Sequence, residues 1–453
     1  MSFNIALSGL NASNQELNTI SNNIANTGTT GFKESRTEFG SVYNGNQAGG
    51  VQVVGISQNF DSTGSISGTG RSLDLALTGG GFFVVEESNG QRSYTRSGAF
   101  SLDSNGYLVA NSGGTIQGYT VDNNNNLLEG SLGALQVDTA SLPAQATTNI
   151  EFASNLDARA DVIDTQYTVS GSGDWVQNAD GEYVQVSGSY LADGTSDTTG
   201  TYAMDSEGNL YDLASVTRYE QSPVTFDPAN VNTYTNSYTT PVYDSLGNEH
   251  TLSQYFVKTG ANSWEIHSIV DGNADNITTT PVTFDENGNL TSASSYTVNA
   301  NAAGASDLSI AVNLSGLSQY GSNFVVSKNS SNGYTSGEFA DIRVEQNGMV
   351  YATYSNGQSL LQGQLVLANF NAPQELMQSS NTSWTQTYGS GQPTYGVPGS
   401  GQFGELASGA LEGSNVDLTS ELVNLMTAQR NYQANTKTIS TSDQLTQALF
   451  NAI

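Results

Sequence analysis

Both ends of the chain carry apolar residues at helical spacing, and this pattern constrains the fold more than any other feature of the sequence. Steps of three and four residues place side chains on one narrow helical face, which is the spacing of a coiled-coil seam. The seam predicted for the N-terminal helix comprises Phe3, Leu7, Leu10, Asn14, Leu17 and Ile24. The seam predicted for the C-terminal helix comprises Leu418, Leu422, Leu425, Gln429, Tyr432 and Ile439.

Two interpretations of these helices are open. Each helix could be an ordinary amphipathic surface helix that covers a core. The sequence between them predicts almost only β structure, so no helical core is expected for them to join. The pattern therefore favours helices that pack against each other or against neighbouring copies of the chain, and it predicts assembly residues along both seams.

Composition narrows the classes of partner. The 453 residues are enough for about three domains. They include 12 Lys and Arg against 42 Asp and Glu, a formal net charge of −30. Such an acidic chain has little with which to neutralise phosphates, so neither nucleic acid nor an anionic membrane surface is an expected partner. The first 24 residues contain one charged residue, Glu16, which suits self-association.

Export signals of the usual kind are not expected. The N-terminus has neither a basic region nor a continuous apolar region, so a secretory signal peptide is not predicted. The longest dense apolar run, Phe82 to Val85, is too short to span a bilayer. Cysteine is absent, which excludes disulfides and thiolate metal sites.

Turns with aspartate first and glycine fourth recur along the chain. They begin at Asp103, Asp205, Asp244 and Asp285. An EF-hand calcium loop needs glycine at its sixth position and a distal glutamate, and these turns have neither. Aspartate can cap a tight turn and glycine accepts positive φ, so the motif predicts hairpin turns.

The order of elements predicts a mainly β, nested multidomain chain with a terminal α-helical coiled-coil pair. Each layer except the inserted domain combines one segment from the N-terminal half of the chain with one from the C-terminal half. The predicted layers are a helical domain (1–26 and 415–453), an extended connector (27–70 and 379–414), a shared β domain (71–148 and 325–378) and an inserted outer β domain (149–324), which could be one domain or two.

Catalytic chemistry is not predicted. The two histidines, His250 and His267, lie on separate predicted strands with no second ligand at metal-binding spacing. No G-x-S-x-G elbow is present. We therefore expect no enzyme activity, no metal and no cofactor.

Segments at both ends resemble the bacterial flagellar rod, hook and hook-associated axial proteins. The N-terminal signature is similar to residues 21–33, and the C-terminal signature is similar to residues 414–435. Residues 80–85, 94–100 and 106–108 resemble the β domain shared by distal rod and hook proteins, and residues 365–373 resemble its return strand in hook proteins.

The resemblance implies a structural subunit of the flagellar hook, a short, curved, flexible tube that acts as a universal joint and transmits torque from rod to filament. It implies partners: the chain itself, distal rod and hook–filament junction proteins, a hook cap and the flagellar type III export apparatus. It also implies an extracellular location in the hook, reached without a cleaved signal. A distal rod subunit and, from another class, a secreted adhesin or polysaccharide-binding β protein are the alternatives. The large insertion favours the hook over the rod.

Overall fold

Two helices and many short strands make up the described structure. The computed structural model describes residues 2–44, 47–122, 124–192, 194–196 and 198–451. Helix α1 spans Ser2–Ala25 and helix α2 spans Leu418–Asn451. Met1, Ala452 and Ile453, which the predicted helical domain includes, lie outside the described residues. The mainly β fold with a helix at each end is confirmed.

The start of α2 is fixed by a side-chain cap. Asp417 Oδ1 accepts hydrogen bonds from the backbone N–H groups of Thr419 at 2.8 Å and Ser420 at 3.1 Å. Those two N–H groups belong to the first helical turn and have no partner within the helix. Asp417 is therefore the N-cap of α2.

The chain forms two compact units. The first comprises Met1–Leu142 with Gly337–Ile453, and the second comprises Pro143–Ser336. Within the first unit, Leu142 and Gly337 exchange two backbone hydrogen bonds of 2.8 and 3.0 Å. The points at which the chain leaves and re-enters the first unit are therefore neighbours.

A 13-stranded sheet organises the first unit, and its strands come from both sides of the insertion. Its centre buries Phe82, Tyr94, Phe370 and Trp384, whose rings meet edge to face. The strands are Phe82–Glu86, Arg92–Thr95, Phe100–Leu102, Leu108–Ala110, Thr115–Val121, Leu127–Ala134, Phe339–Val344, Met349–Tyr354, Ser359–Leu365, Leu367–Asn369, Met377–Ser379, Ser383–Thr385 and Thr394–Gly396.

The stretches predicted as connectors are ordered. A long hairpin is formed by β1, Ser35–Asn44, and β2, Gln47–Gln58. The C-terminal stretch contains the buried Trp384 and pairs with N-terminal strands. Ile66–Gly68 pairs with Ala410–Glu412, and Leu75–Thr78 pairs with Glu405–Ser408. These strands are three or four residues long and separated by glycine turns, so the sequence gives almost no periodic signal for them.

The second unit has a core between a five-stranded and a four-stranded sheet. The first sheet comprises Asn149–Asp157, Ser295–Ala300, Leu308–Asn313, Ser318–Tyr320 and Val325–Ser331. The second comprises Asn236–Tyr243, Glu249–Gly260, Ser263–Val270 and Thr278–Thr283. The sequence division assigns residues 325–331 to the shared β domain, whereas here they pair with Asn149–Asp157. The C-terminal boundary of the inserted domain depends on which strands pair, and the composition of the sequence does not reveal that pairing.

A smaller group of strands in the second unit has its own core around Val176, Val186 and Ala203. Four strands form one sheet: Thr165–Val169, Trp175–Gln177, Tyr183–Gln185 and Arg218–Pro223. Three form another: Ser187–Tyr190, Tyr202–Met204 and Leu210–Asp212. Short 3-10 helices span Val231–Thr233 and Ala274–Asn276 here, and Pro373–Glu375 in the first unit.

The aspartate turns adopt one shared geometry. At Asp103, Oδ1 accepts hydrogen bonds from the N–H groups of Asn105 at 2.9 Å and Tyr107 at 2.8 Å. The turns that begin at Asp205, Asp244 and Asp285 repeat this arrangement, and the fourth-position glycines have φ of 80–90°. Each aspartate is therefore engaged with its own turn. Within the described residues, no three His, Asp or Glu side chains converge as a metal site.

Candidate assembly surface

The two terminal helices pack against each other in antiparallel orientation. Asn23 Nδ2 donates a hydrogen bond of 3.3 Å to Glu421 Oε2, near the end of α1 and the start of α2. Gly9 lies against Asn435, where a Cβ on the glycine would be 2.9 Å from the amide group. Because residue numbers rise along α1 as they fall along α2, the chain runs in opposite directions in the two helices.

On each helix, the row of buried or half-buried residues that runs through these two contacts at coiled-coil spacing, which we call the contact row, contains many small or polar residues. On α1 the row is Ala6, Gly9, Ser13, Glu16, Ile20 and Asn23, all buried or half-buried. On α2 the row is Glu421, Leu425, Ala428, Tyr432, Asn435, Ile439 and Ser442, also buried or half-buried. Burial raises the pKa of the Glu16 carboxyl. Small residues allow close approach of the helices but bury little apolar area, so this pair is weakly stabilised by itself.

The predicted N-terminal seam lies beside this contact row. Five of the six contact residues on α1, all except Ile20, directly precede a predicted position, and one residue corresponds to a rotation of about 100° around the helix. Phe3 and Leu7 remain 46% and 42% exposed, and Asn14 is exposed. Leu10, Leu17 and Ile24 are half-buried.

The predicted C-terminal seam coincides only in part with the contact row on α2. Leu425, Tyr432 and Ile439 belong to the contact row and are half-buried. Leu418 and Leu422 are 47% and 46% exposed, and Gln429 is also exposed. Glu421, Ala428 and Asn435, which the prediction does not include, alternate with the three half-buried seam residues along the contact row. The helix pair thus leaves much of both predicted seams outside its own contact.

Exposed apolar side chains are concentrated on the helices and the long hairpin. We call those on the two helices the outer helix surface: Phe3, Ile5, Leu7, Leu418, Leu422, Val423, Met426 and Leu445. The hairpin adds Phe39, Tyr43, Val54 and Ile56. So many exposed large apolar side chains on two helices and a hairpin are unusual on a monomeric protein and indicate an interaction surface.

The same helices carry almost no net charge. Between them α1 and α2 contain three acidic and two basic residues, although the chain as a whole has a net charge of −30. Repulsion between copies of so acidic a chain opposes association wherever charge is dense. The outer helix surface is therefore where self-association meets the least electrostatic opposition.

A buried ion cluster within the first unit joins the segment after α1 to the strand before α2. Lys33 Nζ lies 2.8 Å from Glu412 Oε1, and Arg96 Nη1 lies 3.4 Å from Glu412 Oε2. Lys33 also donates to the Ser62 carbonyl at 2.8 Å, and Gly64 N–H donates to Glu412 Oε1 at 3.1 Å. Burial lowers the pKa of the Lys33 ammonium, and its hydrogen bond to Glu412 opposes that effect.

Asn415 completes this junction just before α2. Its Oδ1 accepts a 2.7 Å hydrogen bond from the Glu34 N–H, and its Nδ2 donates to the carbonyls of Asn59 and Ser62, both at 3.0 Å. The residues that follow α1 and those that precede α2 are thus joined to one another. Lys33, Arg96 and Asn415 lie in segments that resemble flagellar axial proteins. The resemblance does not indicate which residues they contact. The signal that could have drawn attention to Lys33 and Arg96 is the scarcity of basic residues, 12 in the chain.

Gly9 offers a test of the helix pair. We expect Gly9→Leu to push the helices apart, because its side chain would overlap Asn435. Overpacking at such a contact costs about 1–3 kcal/mol. Amide hydrogen exchange in α1 and α2 should accelerate while the 13-stranded sheet keeps its protection. Asn11→Leu, at an exposed position of the same helix, is the control. Unchanged exchange in both variants would contradict the close contact at Gly9.

The paired terminal helices and nested β units agree with the resemblance to flagellar axial proteins, and family models match this class. Sequence models of four families match: the "Flagella basal body rod protein" at residues 3–33, the "Flagellar hook protein FlgE/F/G D1 domain" at 76–155, the "Flagellar basal body protein FlaE D2 domain" at 209–334 and the "Flagellar basal body rod FlgEFG protein C-terminal" at 407–452.

Full-length relatives are more specific. The chain is 35% identical to the flagellar hook protein FlgE of Escherichia coli K12 and 33% identical to that of Salmonella typhimurium LT2, over 100% of both chains in each comparison. It is 32% identical to FlgE of Rhizobium meliloti 1021, over 98% of this chain and 97% of that one. The chain belongs to the flagellar hook protein family, and it is a structural subunit of the flagellar hook.

The fold has a counterpart among solved structures. The crystal structure of Helicobacter pylori flagellar hook protein FlgE2 aligns with a TM-score of 0.54 at 16% identity, over 76% of this chain and 100% of that one. No helix in the described part of the chain is long and apolar enough to cross a membrane.

Proposed function

We propose that the chain polymerises into a short, curved, flexible tube that joins rod to filament and transmits torque between them. The observation that carries this proposal is the arrangement of the helix pair: many of the residues between the helices are small or polar, whereas Leu418, Leu422, Val423 and Met426 remain exposed. Packing against neighbouring copies would remove these apolar side chains from water. The residues of both predicted seams, from Phe3 to Ile24 and from Leu418 to Ile439, act in this contact.

The proposed layers of the tube follow the nested order of the chain. Residues 1–26 and 415–453 form the inner helical layer, and residues 27–70 and 379–414 connect it to the shared β domain at 71–148 and 325–378. The inserted domain, 149–324, forms the outer surface. The compact second unit, Pro143–Ser336, supports an insertion with somewhat wider limits.

The role is structural rather than catalytic. The subunit leaves the cell through the flagellar type III export apparatus without a cleaved signal and assembles outside, in the hook. Its neighbours are other copies of itself, the hook cap, and the distal rod and hook–filament junction proteins at the two ends of the tube. Full-length similarity to hook proteins, which includes the inserted unit, supports the hook over the alternative of a distal rod subunit.

Electron microscopy of two variants tests the proposal. Because Leu142 and Gly337 are hydrogen-bonded neighbours, a short Gly/Ser bridge can replace Pro143–Ser336 without opening the first unit. We expect this variant to form tubes that are thinner than the wild-type tubes and altered in curvature. A variant that lacks residues 415–453 should form none. Failure of the wild-type protein to form tubes, or tubes from the truncated variant, would overturn the proposal.

A further inference from the structure

His250, in the second unit, lies between two carboxylates. Its Nδ1 is 2.6 Å from Asp271 Oδ2, and its Nε2 is 3.4 Å from Asp244 Oδ2. The neutral imidazole has one N–H, whereas the imidazolium has two. Only the protonated ring can donate to both carboxylates at once, so the geometry selects the charged form.

Each of the two aspartates is held in place by its own turn. Asp244 accepts hydrogen bonds from Leu246 N–H, Asn248 N–H and Asn248 Nδ2. Burial alone would raise the pKa of Asp244, but these hydrogen bonds and the one from His250 outweigh it and hold the pKa at about 2. Asp244 is therefore a fixed negative charge throughout the neutral range.

Asp271 is held in an unusual backbone conformation. Its φ of 52° is in the left-handed region, which aspartate tolerates better than most residues. Its N–H donates to the Thr251 carbonyl at 2.9 Å, and its Oδ1 accepts from the Thr251 N–H at 2.8 Å. Burial acts to raise the pKa of Asp271, and the hydrogen bonds from His250 and Thr251 lower it below its usual value.

The Asp244 turn lies beside the segments through which the chain enters and leaves the second unit. Gly247 packs against Ala144 and Thr335, and Tyr243 exchanges hydrogen bonds with Thr147. Ser245 Oγ accepts a hydrogen bond from the Ser306 N–H at 3.1 Å. We call this region, where the chain enters and leaves the second unit, the root of the unit. His250 thus connects the Asp244 turn at the root to the turn at Asp271.

We propose that His250 is a pH-sensitive clasp at the root of the second unit, closed when the ring is protonated and released when it loses a proton. The charged groups that face the ring within the described contacts are Asp244 and Asp271. Release breaks the contact with one of them and leaves the Asp244 turn held by fewer bonds. The stability of the second unit therefore depends on pH.

The direction of the pH dependence follows from the ring's environment. The hydrogen bond to Asp271 raises the pKa of His250 above its ordinary value of 6.5; burial opposes this effect, and Asp244 reinforces it. A raised pKa in the folded state stabilises the fold fully below the unfolded value. That stabilisation disappears as pH rises from about 6.5 through the raised pKa of the folded protein.

The second histidine provides an internal control. His267 stacks on Phe226 at a ring separation of 4.1 Å, and burial lowers its pKa, against an opposing effect of Glu265. Since the chain has two histidines, a protein with 13C-labelled histidine gives two ring signals in NMR spectra. We expect His250 to titrate above 6.5 and His267 below it.

Variants separate the clasp from a merely structural histidine. Asp271→Asn keeps the turn residue's size and its tolerance of positive φ but removes the charge, and we expect it to lower the His250 midpoint. Asp275→Asn, at an exposed carboxylate nearby, should leave that midpoint unchanged. In thermal unfolding, His250→Gln should lose the decline in melting temperature that the wild-type protein shows above pH 6.5. A His250 midpoint at or below 6.5, or equal pH dependence of unfolding in wild type and His250→Gln, overturns the proposal.

Discussion

Leu422→Asp is expected to abolish polymerisation while leaving the subunit folded. Leu422 is 46% exposed in the single chain and has Leu418 and Met426 one turn away on either side. In the tube we expect this side chain to be buried, where a leucine contributes about 1.5–3 kcal/mol. Aspartate loses that contribution and adds a carboxylate whose burial without a partner costs several kcal/mol more. Every subunit carries the defect, so the losses accumulate along the polymer.

Sedimentation and electron microscopy measure the loss of polymer, and circular dichroism measures the fold. The matched control is Asn431→Asp, which adds the same charge at an exposed position of the same helix. It should polymerise close to normally, because Asn431 lies outside the outer helix surface. If Leu422→Asp polymerises like the wild type, the assembly contact is elsewhere. If both variants fail, added charge rather than the apolar surface is responsible.

The helices illustrate what apolar periodicity can and cannot predict. Leucine spacing correctly predicts a helix at each end, because seams of large apolar residues give a strong signal at a helical period. It does not identify the face that joins the two helices. That face depends on Gly9, Ser13 and Ala428, which are small and leave no apolar periodicity to detect. Close packing of small residues becomes visible only once the partner helix is in place.

The connectors were harder to predict for a related reason. Trp384 is 1% exposed and packs against Phe82, although the sequence around it is rich in Gly, Ser and Thr. A three-residue strand cannot show alternation, and its stability comes from neighbours that are distant in the sequence. Turns are easier to predict, since aspartate first and glycine fourth specify the local backbone without distant contacts.

Glu412 was not identified from the sequence, and it carries the second large prediction. Its carboxylate is fully buried between Lys33 and Arg96, and 379 residues separate it from Lys33 along the chain. We expect Glu412→Gln to destabilise the first unit by about 3–5 kcal/mol, because removal of one partner leaves buried charges without compensation. Thermal or urea unfolding of the variant measures this loss.

Arg36→Gln is the control for Glu412→Gln. The Arg36 side chain is 79% exposed and pairs with Glu38 at 2.7 Å, so solvent screens the interaction and its loss should be barely measurable. Equal stability of Glu412→Gln and Arg36→Gln would contradict the importance of the buried cluster.

A double-mutant cycle distinguishes lost attraction from uncompensated charge. In the Glu412→Gln protein, the buried Lys33 ammonium has lost its nearest anion, so Lys33→Met should recover part of the lost stability. In the wild-type protein the same Lys33→Met change should destabilise, since Glu412 loses a hydrogen-bonded partner. Opposite signs in the two backgrounds are the expected result. Additive losses would instead mean that Lys33 and Glu412 act independently. Because the cluster joins the segment after α1 to the strand before α2, hydrogen exchange in residues 27–34 and 410–417 should follow the same pattern across all four proteins.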